Sequence, residues 1–443
     1  MYWFKEEFFY DERTLMDNYS KVVKVVDEKY NIFEILDHKT TQSYYAGRFD
    51  CLSLTDLTNM LESLQKGTIH LKLEEFCYST SNEKEMISPE IKNSPHNKES
   101  MEIELNTKAN DEKSPKEKKK PDTKNEGIEE FKKPEVKEES NFPSIVKNND
   151  SNQIEISKGL RFFHKPNTPV KSLICAPINN EAVFQVASQF NCLEMVGPKV
   201  TPNEGITKYY LDGTQGPECA LSCRSALFFR NYLFKDKDNN IGQLKKQINL
   251  LEEVDSYLQN KTNHYWKMSN GYCLIDDPKS MDDLNSDLAK NYDQFEEVKK
   301  RVKVGINWDT EVNLIKYNKT TDIPKKQRIC QVFCSTLALA YDTKKKVLKT
   351  ERSQNSFCNL ILEAVYDATL TVAGILAHLK QKRIRVYLTA VGGGVFGNSK
   401  KMIKNAIQKS IDKHKNVPLD VILVSYSSVP EVFNQIIPPN KQR

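Results

Sequence analysis

The chain has 443 residues, and 65 lysines and arginines against 60 aspartates and glutamates leave a formal charge of +5. So balanced a composition gives no electrostatic case for a nucleic-acid or anionic-membrane partner. Hydrophobic residues make up 38%, below the about 45–50% usual in soluble domains, so part of the chain is expected to stay outside any core.

The opening Met1-Tyr-Trp-Phe-Lys-Glu-Glu7 has acids where a secretory signal carries basic residues. The ten cysteines are sparse, and the pairs Cys219/Cys223 and Cys330/Cys334 have four-residue rather than CxxC spacing. Together these predict an intracellular protein, cytoplasmic or nuclear, with reduced and mostly buried thiols and no metal site. The longest apolar stretch, Leu370 to Leu379, falls short of the roughly 20 residues that a bilayer span needs, and predicts no transmembrane helix.

In chain order, Tyr44 to Phe49 reads as a strand. Ser53-Leu-Thr-Asp56 is a capping box for a helix whose Leu54, Leu57, Met60, Leu61 and Leu64 recur at three- and four-residue spacing. A small N-terminal module is therefore expected over residues 1–80. Residues 81–150 hold 14 lysines and 17 acids with few aromatics, a composition that cannot offset its chain entropy by burial. A disordered, low-complexity linker is expected over 81–154, with Lys116 to Lys120 neutralised by neighbouring acids.

From residue 155 to 443, strand-like runs at Ala182–Ala187, Val302–Ile306, Ile329–Leu337, Ile384–Val391 and Leu419–Tyr426 are interleaved with helical patterns, notably Cys358–Leu379 and Lys400–His414. The alternation predicts an α/β domain, a mixed sheet flanked by helices. Ligands of such sheets sit beyond the carboxyl ends of the strands.

The sharpest feature follows the strand Arg383–Val391: Gly392-Gly393-Gly394-Val395-Phe396-Gly397-Asn398, then a helix with Asn398 or Ser399 placed to cap it. Glycines let backbone amides approach a ligand, and the helix N-terminus adds positive charge, so the unit suits a phosphate or diphosphate. It is not a P-loop, because Asn398 stands where the lysine is required. Gly392, Gly394 and Gly397 satisfy G-x-G-x-x-G, but no acid ends the next strand to hold a dinucleotide's ribose.

Tyr387-Leu-Thr-Ala-Val-Gly-Gly-Gly-Val-Phe-Gly397 resembles the late strand and phosphate loop of macrodomains, the ADP-ribose-binding fold. Phe184-Gln-Val-Ala-Ser-Gln-Phe-Asn191 resembles the family's first core strand and turn. Asp212-Gly-Thr-Gln-Gly-Pro-Glu-Cys-Ala-Leu221 resembles its first glycine loop, and the order along the chain is the family's. The combination is similar to a little-described subgroup of macrodomain-like proteins. Two departures matter: Pro177-Ile-Asn-Asn180 replaces the aspartate that receives adenine, and no acid lies between Val395 and Lys401, where the glycohydrolase branch of the family carries tandem glutamates.

The resemblance implies binding of ADP-ribose or a related nucleotide diphosphate, with no cofactor. Its ligand residues would be Ser188, Gly213, Gln215, Gly216, Gly392, Gly393, Gly394, Val395, Phe396, Gly397 and Asn398. In a hydrolytic version, acting on ADP-ribosylated protein, Asn191 or Asp212 would place a water against the anomeric carbon. A plain turn amide and a plain turn acid are the competing readings of those two residues. A non-catalytic protein-interaction scaffold and a dinucleotide-dependent enzyme are the other readings of the chain. Glu363 and Asp367, four apart on an apolar helix, read as a solvent stripe, and Asp309 and Glu311 as a strand end or polar turn.

Overall fold

The computed structural model describes residues 2–37, 40–77, 159–313, 327–341 and 354–439. The linker expected at 81–154 lies outside them. Two short helices, α1 (Tyr2–Phe8) and α2 (Glu12–Asp17), precede an antiparallel meander of β1 (Val23–Asp27), β2 (Ile32–Leu36) and β3 (Thr41–Tyr45). The strand expected at Tyr44–Phe49 is broken at Gly47, which has φ +79° and lies so close to Asp309 that a Cβ would strike that residue's carbonyl oxygen. After the break the chain enters β4 (Phe49–Ser53), then α3 (Leu54–Lys66). The expected capping box is present in both directions between Ser53 and Asp56, and α3 ends on Gly67 in the left-handed region.

β4 does not belong to the meander. It is the edge of a seven-stranded sheet whose other members are β5 (Arg161–Lys165), β6 (Val183–Ala187), β9 (Lys303–Glu311), β10 (Arg328–Cys334), β11 (Ile384–Leu388) and β12 (Leu419–Val424), in the order β4-β9-β10-β6-β11-β12-β5. A hairpin of β7 (Trp266–Ser269) and β8 (Tyr272–Ile275) stands apart from the sheet. β10, β6, β11, β12 and β5 are mutually parallel, and β9 is antiparallel to both of its neighbours. The described residues up to 77 and those from 159 on belong to one compact unit and share one hydrophobic core, so the expected boundary after residue 80 does not separate two cores.

The fold is thus mixed α/β, a mostly parallel sheet flanked by helices, as expected. β5 is a strand beyond those expected, and β9 extends five residues past Ile306. Asp309 and Glu311 therefore lie within a strand, and because β9 runs against its neighbours its end is not on the ligand-binding edge. Asp309 accepts hydrogen bonds from the Tyr45 hydroxyl at 2.9 Å and from Arg328 at 3.3 Å.

Helix α4 (Gln215–Ser222) follows β6, α5 (Ser356–Lys380) joins β10 to β11, and α6 (Lys400–Lys413) joins β11 to β12. α5 corrects two expectations. It is 25 residues long and apolar enough to cross a membrane by length and composition, yet its apolar window is wholly buried inside the fold. It packs against α3 and α6, with Leu61 of α3 meeting the space over Gly374. Glu363 and Asp367 form no solvent stripe. Both are buried, and α6 with the residue that ends it supplies cationic and imidazole partners: Lys409 reaches Glu363 at 2.6 Å, and Lys413 and His414 reach Asp367 at 2.7 and 2.9 Å.

Candidate functional site

β6 is the central strand, and its two flanks differ. Five consecutive residues pair with β10, but only Val183 and Phe184 pair with β11, at Val386 and Tyr387. The last pair is closed by stacking of Phe184 on Tyr387, ring centroids 4.6 Å apart. Beyond it β6 and β11 splay apart toward their carboxyl ends. The helix-bearing crossover from β10 to β11 passes over β6, so the splay lies where the strand order jumps.

The splay leaves backbone groups of β6 without a strand partner, and a side chain replaces the strand. The Gln215 amide at the start of α4 accepts from Ala187 N at 2.8 Å and donates to Gln185 O at 2.8 Å. The Gln185 side chain in turn accepts from Thr389 N at 3.2 Å and donates to Thr369 on α5 at 3.0 Å. Gln215, expected to touch ligand, is thus committed to the sheet through its side chain. Gly216 is required because a Cβ there would run into the Ala187 carbonyl oxygen; close approach of helix to strand, not ligand access, explains this glycine. Gly213 is exposed with nothing within 4 Å of a built Cβ.

The turn after β6 is tightly bonded within itself. Asn191, expected to place a water, is buried. Its amide donates to Gln247 at 2.9 Å and accepts from Leu193 N at 3.1 Å, so both ends serve the turn. Ser188 is also buried, donating to Leu193 O at 3.2 Å. Asp212 is half-buried and accepts from Thr214 N at 2.9 Å; its charge is felt by Tyr272 and Tyr426, both of whose hydroxyls are pushed up chiefly by burial.

In the loop after β11 the glycines divide by cause. Gly392 and Gly397 hold φ of +70° and +72°, and a Cβ on Gly392 would strike Asn398 and Thr336. A Cβ on Gly393 would lie 2.9 Å from the Ile403 side chain, whereas Gly394 has nothing within 4 Å. Asn398 is buried and works as a clasp: Nδ2 donates to Leu337 O at 3.1 Å and Gly392 O at 3.3 Å, and Oδ1 accepts from the Cys358 thiol at 2.8 Å. Phe396 is buried against Tyr272 and Tyr341, at 5.4 and 5.9 Å between centroids. Val395 is exposed at 63%.

The groups left open are backbone. Among the described residues, the amides of Gly394, Val395 and Phe396 reach no acceptor, while those of Gly393, Gly397 and Asn398 bond within the loop. The next helix adds to this: Ser399 makes no side-chain cap on α6, whose first turn has no acid and begins with Lys400 and Lys401. Lysines at that end oppose the usual preference for acids there. α4 likewise starts without a side-chain cap from Thr214. Two uncapped helix starts and three acceptor-free amides thus belong to the loops around one sheet edge, an arrangement suited to anionic oxygens.

Sequence reasoning missed the residues that hold this edge together. Tyr366 of α5 donates to Thr389 O at 2.7 Å and accepts from Val391 N at 3.0 Å, fixing the start of the glycine loop. Tyr272, on β8, donates to Met195 O at 2.6 Å. Neither carries a local signal, since each acts on a loop far away in sequence. Glu194, just after the turn that follows β6, is buried 3.9 Å from Arg230. No group of three or more histidine, cysteine or acidic side chains suited to a metal occurs among the described residues.

No family model matches the sequence, and no curated protein matches it. Its similarity to solved structures is distant. Poly(ADP-ribose) glycohydrolase from Deinococcus radiodurans in complex with ADP-ribose is 10% identical, with 62% of this chain covering 83% of that one at a TM-score of 0.32. The enzyme of the same name from Thermomonospora curvata is 8% identical over 64% of this chain and 76% of that one, TM-score 0.31. Its complex with the inhibitor ADP-HPD gives 9%, 63%, 79% and 0.31. Similarity of this size transfers neither a residue's role nor a reaction to this chain.

Proposed function

We propose that this chain binds ADP-ribose or a related nucleotide diphosphate at the edge where β6 and β11 part. One phosphate is held by the amides of Gly394, Val395 and Phe396 with the start of α6, the other by the start of α4 near Gly213. The observation that carries the reading is the acceptor-free amide run at 394–396 leading into an uncapped helix headed by two lysines. Gly394 has no side chain and the space beside it is open, which gives the loop a reason for a third glycine that the packing of Gly392 and Gly393 does not supply. The macrodomain resemblance of the same segments is consistent with it.

Hydrolysis of an ADP-ribosyl linkage is the narrower form of this reading, and it rests on Asp212. Of the two expected catalytic residues it alone is not committed at both ends, and a general base must come within about 3 Å of the water it activates. A protein-binding scaffold is the second reading, favoured by Val196, Leu211 and Val395, large apolar side chains each more than 60% exposed on these loops.

The test is titration calorimetry of the full chain with ADP-ribose, ADP, NAD and ATP, repeated with Gly394→Glu, at a position where an added Cβ has nothing within 4 Å among the described residues. Binding of ADP-ribose that the substitution abolishes upholds the proposal. Preference for NAD favours the dinucleotide enzyme. Absence of heat with every nucleotide from folded protein overturns the proposal and leaves the scaffold.

A further inference from the structure

Entry of β4 into the main sheet brings two cysteines together that are far apart in sequence. Cys51 on β4 pairs directly with Gly305 on β9, and side chains at such positions stand about 4.5–5.5 Å apart at Cβ. Phe49 shares a face with Cys51 by the two-residue alternation of a strand. A Cβ built on Gly305 would run into the Cys192 thiol and lie 3.3 Å from the Phe49 ring. The Cys192 sulfur therefore fills the space that Gly305 leaves beside Cys51, and the neighbouring Cys51 thiol adds to the burial that pushes the Cys192 thiol up. Cys192 is fully buried, with its backbone at φ +59° in the turn after β6, whereas Cys51 is half-buried. Both are free thiols.

We propose that Cys51 and Cys192 form an oxidative modification site, closing to a disulfide under a hydroperoxide or small-disulfide oxidant and tying β4 to the turn that follows β6. With a peroxide, the more accessible Cys51 attacks first. Its sulfur takes one oxygen as the O–O bond breaks, giving a sulfenic acid and one water. Cys192 then attacks that sulfur, the S–O bond breaks, and a second water leaves. Two thiols lose two electrons and one peroxide is reduced to two waters. Cys219 and Cys223, and Cys330 and Cys334, the pairs close in sequence, are all buried, so none of them offers an oxidant the first contact that Cys51 does.

The inference stands independently of any nucleotide ligand. Its test is to treat the full chain with hydrogen peroxide or diamide, block the remaining thiols, digest without reductant and map the peptides by mass. The expected result is a linked Cys51–Cys192 peptide pair about 2 Da lighter than its two parts, loss of two of the ten titratable thiols, and reversal by dithiothreitol. Cys51→Ser, at the half-buried position, abolishes the pair. Over-oxidation of Cys51 with no linked peptide, or equal yields of pairs among other cysteines, overturns the proposal; the wild-type map decides this without reliance on a variant that fails to fold.

Discussion

The carboxylate of Glu194 and the guanidinium of Arg230 face each other at 3.9 Å with neither side chain exposed. That is beyond hydrogen-bond length. Arg230 is held instead by Cys192 O at 3.0 Å, Asn307 at 3.1 Å and the face of Phe333 at 3.9 Å. Burial pushes the Glu194 carboxyl up to about 7, with the Arg230 charge opposing.

This sets a pH dependence. A carboxyl that ionises near 7 when folded and near 4.3 when unfolded binds more proton in the native state between those values, so its contribution falls as pH rises through that window. The slope is at most about 1.4 kcal/mol per pH unit. Denaturation midpoints of the wild type measured from pH 5 to pH 8 are expected to fall relative to those of Glu194→Gln, and parallel curves would refute it.

Gly216 and Gly213 separate packing from ligand access. Gly216→Ala forces a methyl into the Ala187 carbonyl and is expected to cost about 1–3 kcal/mol or more as α4 is pushed off β6. Gly213→Ala meets open space and is expected to change stability by less than about 0.5 kcal/mol. Urea denaturation of the two variants decides it.

Gln215→Ala strips both the acceptor from Ala187 N and the donor from Gln185 O. Each group left without a partner costs about 1–3 kcal/mol where water does not replace it. Gln215→Glu keeps the acceptor and loses the donor, so its midpoint in chemical denaturation should fall between wild type and Gln215→Ala.

The α5–α6 contact predicts acid sensitivity. Burial would raise the Asp367 carboxyl, but the hydrogen bond to His414 and the charge of Lys413 outweigh it and hold the group below its ordinary value. A depressed carboxyl stabilises above its unfolded pKa and loses that contribution as pH falls through the folded one. Asp367→Asn is expected to destabilise by about 1–3 kcal/mol at pH 7 and to differ less from wild type at pH 3, as thermal unfolding at the two values would show.

Local signals in this chain were legible and long-range ones were not. The capping box at Ser53 and Asp56, the helices at Lys400–Lys413 and Ser356–Lys380, and the strands around β6, β10, β11 and β12 all declare themselves within a few residues. The direction of β9 depends on its neighbours, so Asp309 could not be placed by inspection. The fate of each glycine depends on atoms far along the chain: Gly216 on Ala187, Gly392 on Thr336, Gly305 on Cys192. Glu363 and Asp367 looked like a wet face because their cations belong to another helix.

The site was half visible for the same reason. A run of glycines before a helix announces amides free to meet an anion, and among the described residues three amides of this loop reach no acceptor. Amide side chains such as Asn191, Gln215 and Asn398 offer a ligand and neighbouring protein groups the same donor and acceptor, and here the protein groups took them.

The pairing of β4 with β9 and the packing of α3 on α5 make the first 77 residues a structural subunit of the segment beyond residue 159. A peptide bond cut anywhere between those points should leave two polypeptides that co-purify without a covalent link. Expressed separately, neither piece has the other's half of the core to fold upon, but mixed they should reconstitute one globule. The same connectivity delays folding on the ribosome: β4 is made early and must wait for β9, some 250 residues later, before its edge of the sheet can close.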